Sequence, residues 1–425
     1  MLTISTSEVF NYIYTIVSEK MPFYDGIGVI AEKHAVVLDV GSVLCKVGYA
    51  GEPIPRAIIR TPECLNVKGS SKLTSSETYE KYRDKVVAFV HKLYFEHLLV
   101  NPKDRRVVLV ESILGDLCLR DMLVDVLFSH FEVLSILLAP SHLMPLFGLG
   151  ITSALVIDAG YEETTLIPIY QNVPVLKAWQ AQPLASQAIH KSLKEDILTR
   201  GTASRGEQGN YEKVSEVGID LDEEIIEDIK IRLCFVTEIT RGHQIQQIKN
   251  DASSVSGLSS FLKKSVPPAT YPLNGDIILR IDGQTRESAC EMLFEQDNDR
   301  MSVSTMVLDA LLECPIDTRR ELAANIVIVG GTSMITGFKA RLFQELEHLL
   351  KKEPYASRLH LDEFKLHPAP GKANFSCWAG ASIFGATDAI GTRSFTRENY
   401  LKDKSVPDWS NLRYNSLYNN NERHG

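Results

Sequence analysis

The sequence predicts an α/β protein built from two related domains, each a sheet covered by helices. Three observations predict it. A strand–turn–strand pattern with Asp-x-Gly at its turn occurs twice, at Asp39 and Asp158, separated by 158 − 39 = 119 positions. Short β-branched runs alternate with amphipathic helical stretches through both halves, the pattern of mainly parallel sheets under helices. At 425 residues the chain is long for one domain and its period is far too long for a solenoid.

Taken in order, residues 1–32 read as an N-terminal extension containing a second methionine, Met21. Val9, Phe10, Ile13, Ile16 and Val17 fall at helical spacing, which suits either a short docking helix or a leader. From Ala35 an apolar strand runs to the Asp39-Val40-Gly41-Ser42 turn and returns through Leu44 to Tyr49, with a third strand near Arg56 to Ile59. Thr74-x-x-Glu77 is a capping box for a helix whose apolar face is Val86, Phe89, Val90, Leu93 and Tyr94. A strand is expected at Val107 to Val110, a helix at Asp116 to Phe131 and a strand at Ile136 to Leu138.

The second copy has its strand at Leu155 to Ile157, its turn at Asp158-Ala159-Gly160, its return strand at Thr165 to Tyr170 and a third strand at Val173 to Ala178. A helix over Asp222 to about Thr240, a hairpin at Tyr271 to Asp276, a strand at Ile326 to Val329, the turn Gly330-Gly331-Thr332 and a helix from Gly337 to about Leu350 follow. Gly201 to Gly218 and Asn250 to Thr270 read as mobile loops, and the Asn-rich tail at 411–425 as disordered.

The net charge is 45 − 54 = −9, which speaks against broad binding to nucleic acid or anionic membranes. No apolar run reaches the ~20 residues of a membrane helix, and Glu8, Asn11 and Glu19 interrupt any signal-peptide core. Seven widely spaced cysteines without a Cys-x-x-Cys pair fit a reducing compartment, cytoplasm or nucleus.

The chemistry concentrates at three turns. Two Asp-x-Gly turns in matching positions of a duplicated fold can face each other across a cleft. Their backbone N–H groups suit phosphate oxygens, and Asp39 and Asp158 suit a hydrated Mg²⁺. Lys46, on the first return strand, is either a phosphate-directed charge or an ordinary strand lysine. Gly330-Gly331-Thr332, between a strand and a helix, lets backbone approach a nucleotide closely.

These segments resemble the actin family, whose ribonuclease H-like fold is shared with the 70-kDa chaperones and sugar kinases. The resemblance runs from about Ala35 to Asp408. Leu38-Asp39-x-Gly41-Ser42 with Cys45-Lys46-x-Gly48-Tyr49-Ala50-Gly51 looks like the first phosphate loop, and Ile157-Asp158-x-Gly160 with Pro168-Ile169-Tyr170 like the second. Cys314-Pro315-Ile316-Asp317-x-Arg319 leading to Gly330-Gly331-Thr332-Ser333-Met334 looks like the adenosine segment. Asp228-Ile229-Lys230 resembles the helix beside the nucleotide, and Ser376-x-Trp378-x-Gly380-x-Ser382-Ile383 the return into the first domain.

The resemblance implies an actin-like domain I over 33–148 plus 375–410 and a domain II over 149–374, around a nucleotide cleft. It implies ATP or ADP with Mg²⁺, held by Asp39, Gly41, Ser42, Lys46, Asp158, Gly160, Lys230, Gly330, Gly331, Thr332 and Met334.

The departures matter more. Tyr161-Glu162 stands where the family has Asp-Gly, Val43 replaces a glycine, and Ile231 replaces a ribose-contacting acid. Ser141 falls where actins carry the glutamine that positions the attacking water, and Thr165 where they carry the assisting histidine. Neither can do those jobs, so a bound nucleotide with little turnover and no catalytic residue is expected.

Only 79 − 56 + 1 = 24 positions, Arg56 to Tyr79, fill the interval that in actin holds a small subdomain with the DNase-binding loop. With the tracts Leu98 to Arg106, Leu138 to Met144, Phe294 to Asn298 and Pro407 to Trp409, this truncation looks like the divergent actin-related subunit of dynactin. It implies a cytoplasmic, cytoskeletal pointed-end cap. The implied partners are actin-related filament subunits and actin, the pointed-end accessory subunits and, through them, dynein and cargo adaptors. An active actin-fold ATPase and a nuclear subunit of a chromatin remodeller are the competing readings.

Overall fold

The computed structural model describes residues 33–65, 76–205, 211–250, 265–273, 275, 277–296, 301–369 and 371–407. The expected extension at 1–32, the cap residue Thr74, the loop residues 206–210 and 251–264, Asn274 and Asp276 of the expected hairpin, and the 411–425 tail lie outside the described residues. Two compact units result, one drawn from residues up to Ile151 and from Ala369 onward, the other Thr152–Pro368. The divisions expected from sequence were at 148 and 374.

In the first unit, β1 (Val36–Val40), β2 (Leu44–Tyr49) and β3 (Ala57–Arg60) form an antiparallel meander. β1 also pairs in parallel with β4 (Val107–Glu111), and β4 with β5 (Ser135–Pro140); the strand Phe395–Thr396 closes the far edge. Alternation in β1 sends Val36 and Leu38 toward Val86, Phe89, Val90, Leu123 and Leu127, so one face of the sheet is a continuous apolar layer. On the other face the buried Trp378 donates its Nε1 proton to the Val37 carbonyl at 3.1 Å. Its helix, Ser376–Gly385, packs on the helix Met144–Leu149 so closely that a Cβ at Gly380 would sit 1.8 Å from the Met144 carbonyl oxygen.

In the second unit, β6 (Ala154–Ala159) pairs antiparallel with β7 (Thr164–Tyr170). The short β8 (Val173–Pro174) and β9 (Gln180–Gln182) both lean on β7. The third strand expected over Val173 to Ala178 is therefore broken, because a helical turn at Leu176–Ala178 interrupts it. Residues expected as a loop form β10 (Thr202–Arg205) and β11 (Glu212–Lys213). With β12 (Ala269–Leu273) and β13 (Ile277–Ile281) they make a wholly antiparallel sheet in the order β11-β10-β13-β12. β14 (Ile326–Val329) runs parallel to β6. The other two sheets are mixed rather than mainly parallel: the two hairpins supply antiparallel pairs, and crossovers through helices supply parallel ones.

Two helix boundaries carry information. Asp222 caps the helix Glu223–Leu233, its side chain accepting from the Ile225 amide at 2.8 Å, with Glu223 and Glu224 in the first turn where the helix dipole favours acid. The helix stops at Leu233 instead of running to Thr240. Cys234 is extended, and Val236 donates its amide to the Thr336 carbonyl at 2.8 Å, so the β-branched stretch is buried in tertiary contact.

A new helix, Ile239–Asn250, begins beyond it. Beside it the fully buried Arg341 bonds both Glu291 oxygens at 3.0 and 3.1 Å and Glu345 at 2.8 Å, a set whose disruption would leave a charge stranded in the core. No helix among the described residues is long and apolar enough to cross a membrane.

Candidate functional site

The first turn lies between β1 and β2. Asp39 sits directly across from Lys46 in the antiparallel register, and their side chains form an ion pair at 3.0 Å, both mostly buried. Past Asp39, the Gly41 amide donates to the Leu44 carbonyl at 3.1 Å, closing the turn that carries Ser42 and Val43. Thr61, just after β3, clamps it from the side: its hydroxyl donates to the Gly41 carbonyl at 2.8 Å and its amide to the Val43 carbonyl at 2.8 Å. Ser141 caps the neighbouring β5, its amide donating to the Glu111 carbonyl at 2.8 Å.

The second turn repeats this backbone scheme. The Gly160 amide donates to the Glu163 carbonyl at 3.0 Å, and a threonine hydroxyl, now from Thr332, donates to the Gly160 carbonyl at 2.5 Å. The residue opposite Asp158 in the register is Thr165, the counterpart of Lys46. Val329 of β14 lies beside Asp158, which brings the Gly330 loop over the turn. Gly330 has φ +89°, and a Cβ there would lie 2.2 Å from the Ala159 carbonyl oxygen and 2.6 Å from Asp158 Oδ1, so only glycine fits.

Behind Thr332, buried hydroxyls and an amine continue inward. Thr332 Oγ1 lies 2.6 Å from Ser186 Oγ, which accepts from Lys230 Nζ at 2.9 Å. Lys230 is only 5% exposed, and that burial pulls its pKa below the ordinary lysine value, partly offset by Glu227. Met334, by contrast, is 46% exposed.

Tyr161 is held separately. Its hydroxyl donates to Glu223 Oε1, which also takes a proton from His190 Nδ1, and the Tyr161 and His190 rings meet edge-on at 5.6 Å. Burial raises the Tyr161 pKa, and the hydrogen bond to Glu223 adds to the rise. Burial, then the charge of Lys230, lowers that of His190 and keeps the ring neutral. For Glu223, burial pushes upward, but the hydrogen bonds from Tyr161 and His190 prevail and hold the carboxyl below its usual range. The Tyr161 carbonyl accepts from the Gln187 amide at 2.8 Å, which ties the turn to the helix Ser186–Arg200.

Compared with known families, residues 30–405 match the model of the actin family. The chain belongs to the actin family. It is 25% identical over 448 aligned positions to actin-related protein 10 of Dictyostelium discoideum, with 89% of this chain and 90% of that protein covered.

For a member of the actin family the two units hold the expected residues in two groups. Asp39, Gly41, Ser42 and Lys46 gather at the first turn. Asp158, Gly160, Gly330, Gly331, Thr332 and, through Ser186, Lys230 gather at the second. Ile231, which replaces the family's ribose-contacting acid, is 66% exposed. Sequence reading missed Thr61, Ser186, His190 and Glu223. A threonine after the third strand, in step with the turn, was the one signal available for Thr61; the other three come together only in the folded unit.

Proposed function

We propose that this actin-family chain closes the pointed end of the short actin-related filament of dynactin. There it seats the pointed-end accessory subunits through which dynein engages cargo in the cytoplasm. The observation that carries the reading is the 24-position interval from Arg56 to Tyr79. β3 ends at Arg60 and the next α-helix begins at Ser76, leaving 76 − 60 − 1 = 15 residues between them. In actin this interval holds a small subdomain whose loop enters the next subunit toward the pointed end. A subunit lacking that loop still presents its opposite face to a filament but gives an incoming subunit little to grip. Similarity to actin-related protein 10 supports the same placement.

We also propose that the chain binds ATP or ADP with Mg²⁺ and turns it over slowly. The turns suit a phosphate-bearing ligand: Gly330 lets its loop lie against Ala159 and Asp158 more closely than any side chain would allow, and both turn carbonyls are tied back by threonines. Around the turns that Gly41 and Gly160 close, the backbone amides of Ser42, Gly331 and Thr332 would offer donors, and Met334 an apolar contact. Asp39 and Asp158 would hold the ion through water. Bound Mg²⁺ would neutralise phosphate charge. Ser141 and Thr165 are too short and too weakly basic to place and deprotonate a water, a loss worth ~10²–10⁴ in rate.

Filament elongation watched end by end tests the main reading. The chain is expected to halt growth at pointed ends, and grafting an actin-length loop between Arg56 and Tyr79 to let growth resume. Continued growth past the unmodified chain would sink it. Single-turnover phosphate release tests the second: a rate at least ~100-fold below actin's is expected, and an equal rate overturns it.

A further inference from the structure

We infer that Ser186 is a positioning residue for the second turn, linking Lys230 through Thr332 to the Gly160 peptide so that Lys230 acts on a bound anion without touching it. The consequence for ligand binding rests on the nucleotide reading above.

Proton counting fixes the direction of this chain. The Lys230 ammonium can only donate, so Ser186 Oγ accepts at 2.9 Å. Thr332 has one hydroxyl proton and gives it to the Gly160 carbonyl at 2.5 Å. The 2.6 Å contact between the two hydroxyls must therefore run from Ser186 to Thr332. All donors point the same way, from a buried cation to one carbonyl, and aligned bonds in a dry interior reinforce one another. Lys230, Ser186 and Thr332 are 5%, 5% and 1% exposed, so water does not compete strongly for these groups.

The Gly160 amide is already spent on the Glu163 carbonyl. With the Gly160 carbonyl drawn toward Thr332, planarity turns the N–H of Tyr161, in the same peptide, to the opposite side. The chain thereby sets where the turn's next donor points. In the first turn the equivalent carbonyl takes its proton from Thr61, and the local lysine pairs with Asp39 instead.

Titration with a fluorescent ATP analogue and Mg²⁺ tests this on the full chain. Ser186→Ala and Thr332→Val should each weaken binding roughly 10-fold, the loss of one hydrogen bond tied to a charge. The double variant should be no weaker than either single one, because the chain is cut only once. Ser186→Thr, which keeps the hydroxyl, should stay within about 3-fold of the parent.

Unchanged affinity in Ser186→Ala, or additive losses in the double variant, would overturn the inference. Should Ser186→Ala not fold, Lys230→Met replaces it with the same ~10-fold expectation. If the parent binds no nucleotide, the nucleotide reading falls and the inference is decided in the ligand-free protein by amide exchange over residues 160–165. Exchange about 10-fold faster in Ser186→Ala upholds the chain, and an unchanged rate refutes it.

Discussion

In the first turn the Gly41 carbonyl takes a hydroxyl proton from Thr61, 20 residues away on the same meander; in the second, the Gly160 carbonyl takes one from Thr332, 172 residues away. The two turns share backbone bonds and register: Gly41 to Leu44 matches Gly160 to Glu163, and Asp39 opposite Lys46 matches Asp158 opposite Thr165. What differs is the origin of the support. The first turn is held by neighbours in sequence. The second is held by a crossover strand, a helix start and a buried lysine drawn from across its unit. Duplication preserved the geometry of the turn while its bracing diverged, so the second turn should be the more sensitive to substitution.

The largest expected effect is at Gly330. Gly330→Ala forces a Cβ into the Ala159 carbonyl and Asp158 at a φ of +89°, and should cost about 3 kcal/mol or more of unfolding free energy. Denaturant unfolding measures this directly. A loss below 1 kcal/mol would show that the second turn yields as readily as an ordinary loop.

Acidification should separate the units next. Burial lowers the His142 pKa from 6.5 to about 4 in the first unit. Between those values the unfolded chain binds the proton that the folded one refuses, so stability present near pH 7 is lost as pH falls through 6.5 toward 4. The loss is on the order of 2–3 kcal/mol. His142→Leu should flatten that slope when stability is followed from pH 7 to 4.5. His190, in the second unit, is lowered in the same direction, but Glu223 opposes the shift. Its removal should flatten the slope less, and an equal flattening would erase this contrast.

The matched hydroxyls give a smaller and more pointed comparison. Thr332→Val severs the buried chain and should cost about 2 kcal/mol, whereas Thr61→Val removes a single hydroxyl bond with no lysine behind it and should cost about 1 kcal/mol. Equal costs would mean that the Lys230–Ser186 extension adds nothing.

Smallest is the exchange Thr165→Lys, which places a lysine across from Asp158 as Lys46 stands across from Asp39. Stability should change by no more than about 1 kcal/mol, since the register is the same and the pair is partly exposed. A new ion pair seen in a crystal structure of the variant would confirm the equivalence of the two positions.

Much of this was legible in the residues. The 119-position offset locates both turns because a hairpin is a local structure: the Asp-x-Gly spacing, the flanking β-branched runs and the strand before the Gly-Gly pair are each set within about ten residues. The end of the helix at Leu233 was not, because Cys234 to Thr237 contain no glycine or proline to mark a stop and are drawn into an extended path by tertiary contacts. Nor was Ser186, whose partners lie 44 and 146 residues away, or the Tyr161–Glu223–His190 cluster, with separations of 62 and 33. Such contacts leave no periodicity in the chain. The antiparallel sheet built from Thr202–Arg205 and its neighbours was hidden because Thr202–Arg205 is a short polar run between Gly201 and Gly206, and a serine-rich stretch precedes Ala269.

The central claim concerns where the chain sits. Imaging purified dynactin with this chain tagged, at a resolution that assigns each subunit of the filament, tests it most directly. The account predicts one copy at the pointed terminus, contacting filament subunits on one side and accessory subunits on the other. A copy found in the interior, gripped by filament subunits both ahead and behind, would contradict it.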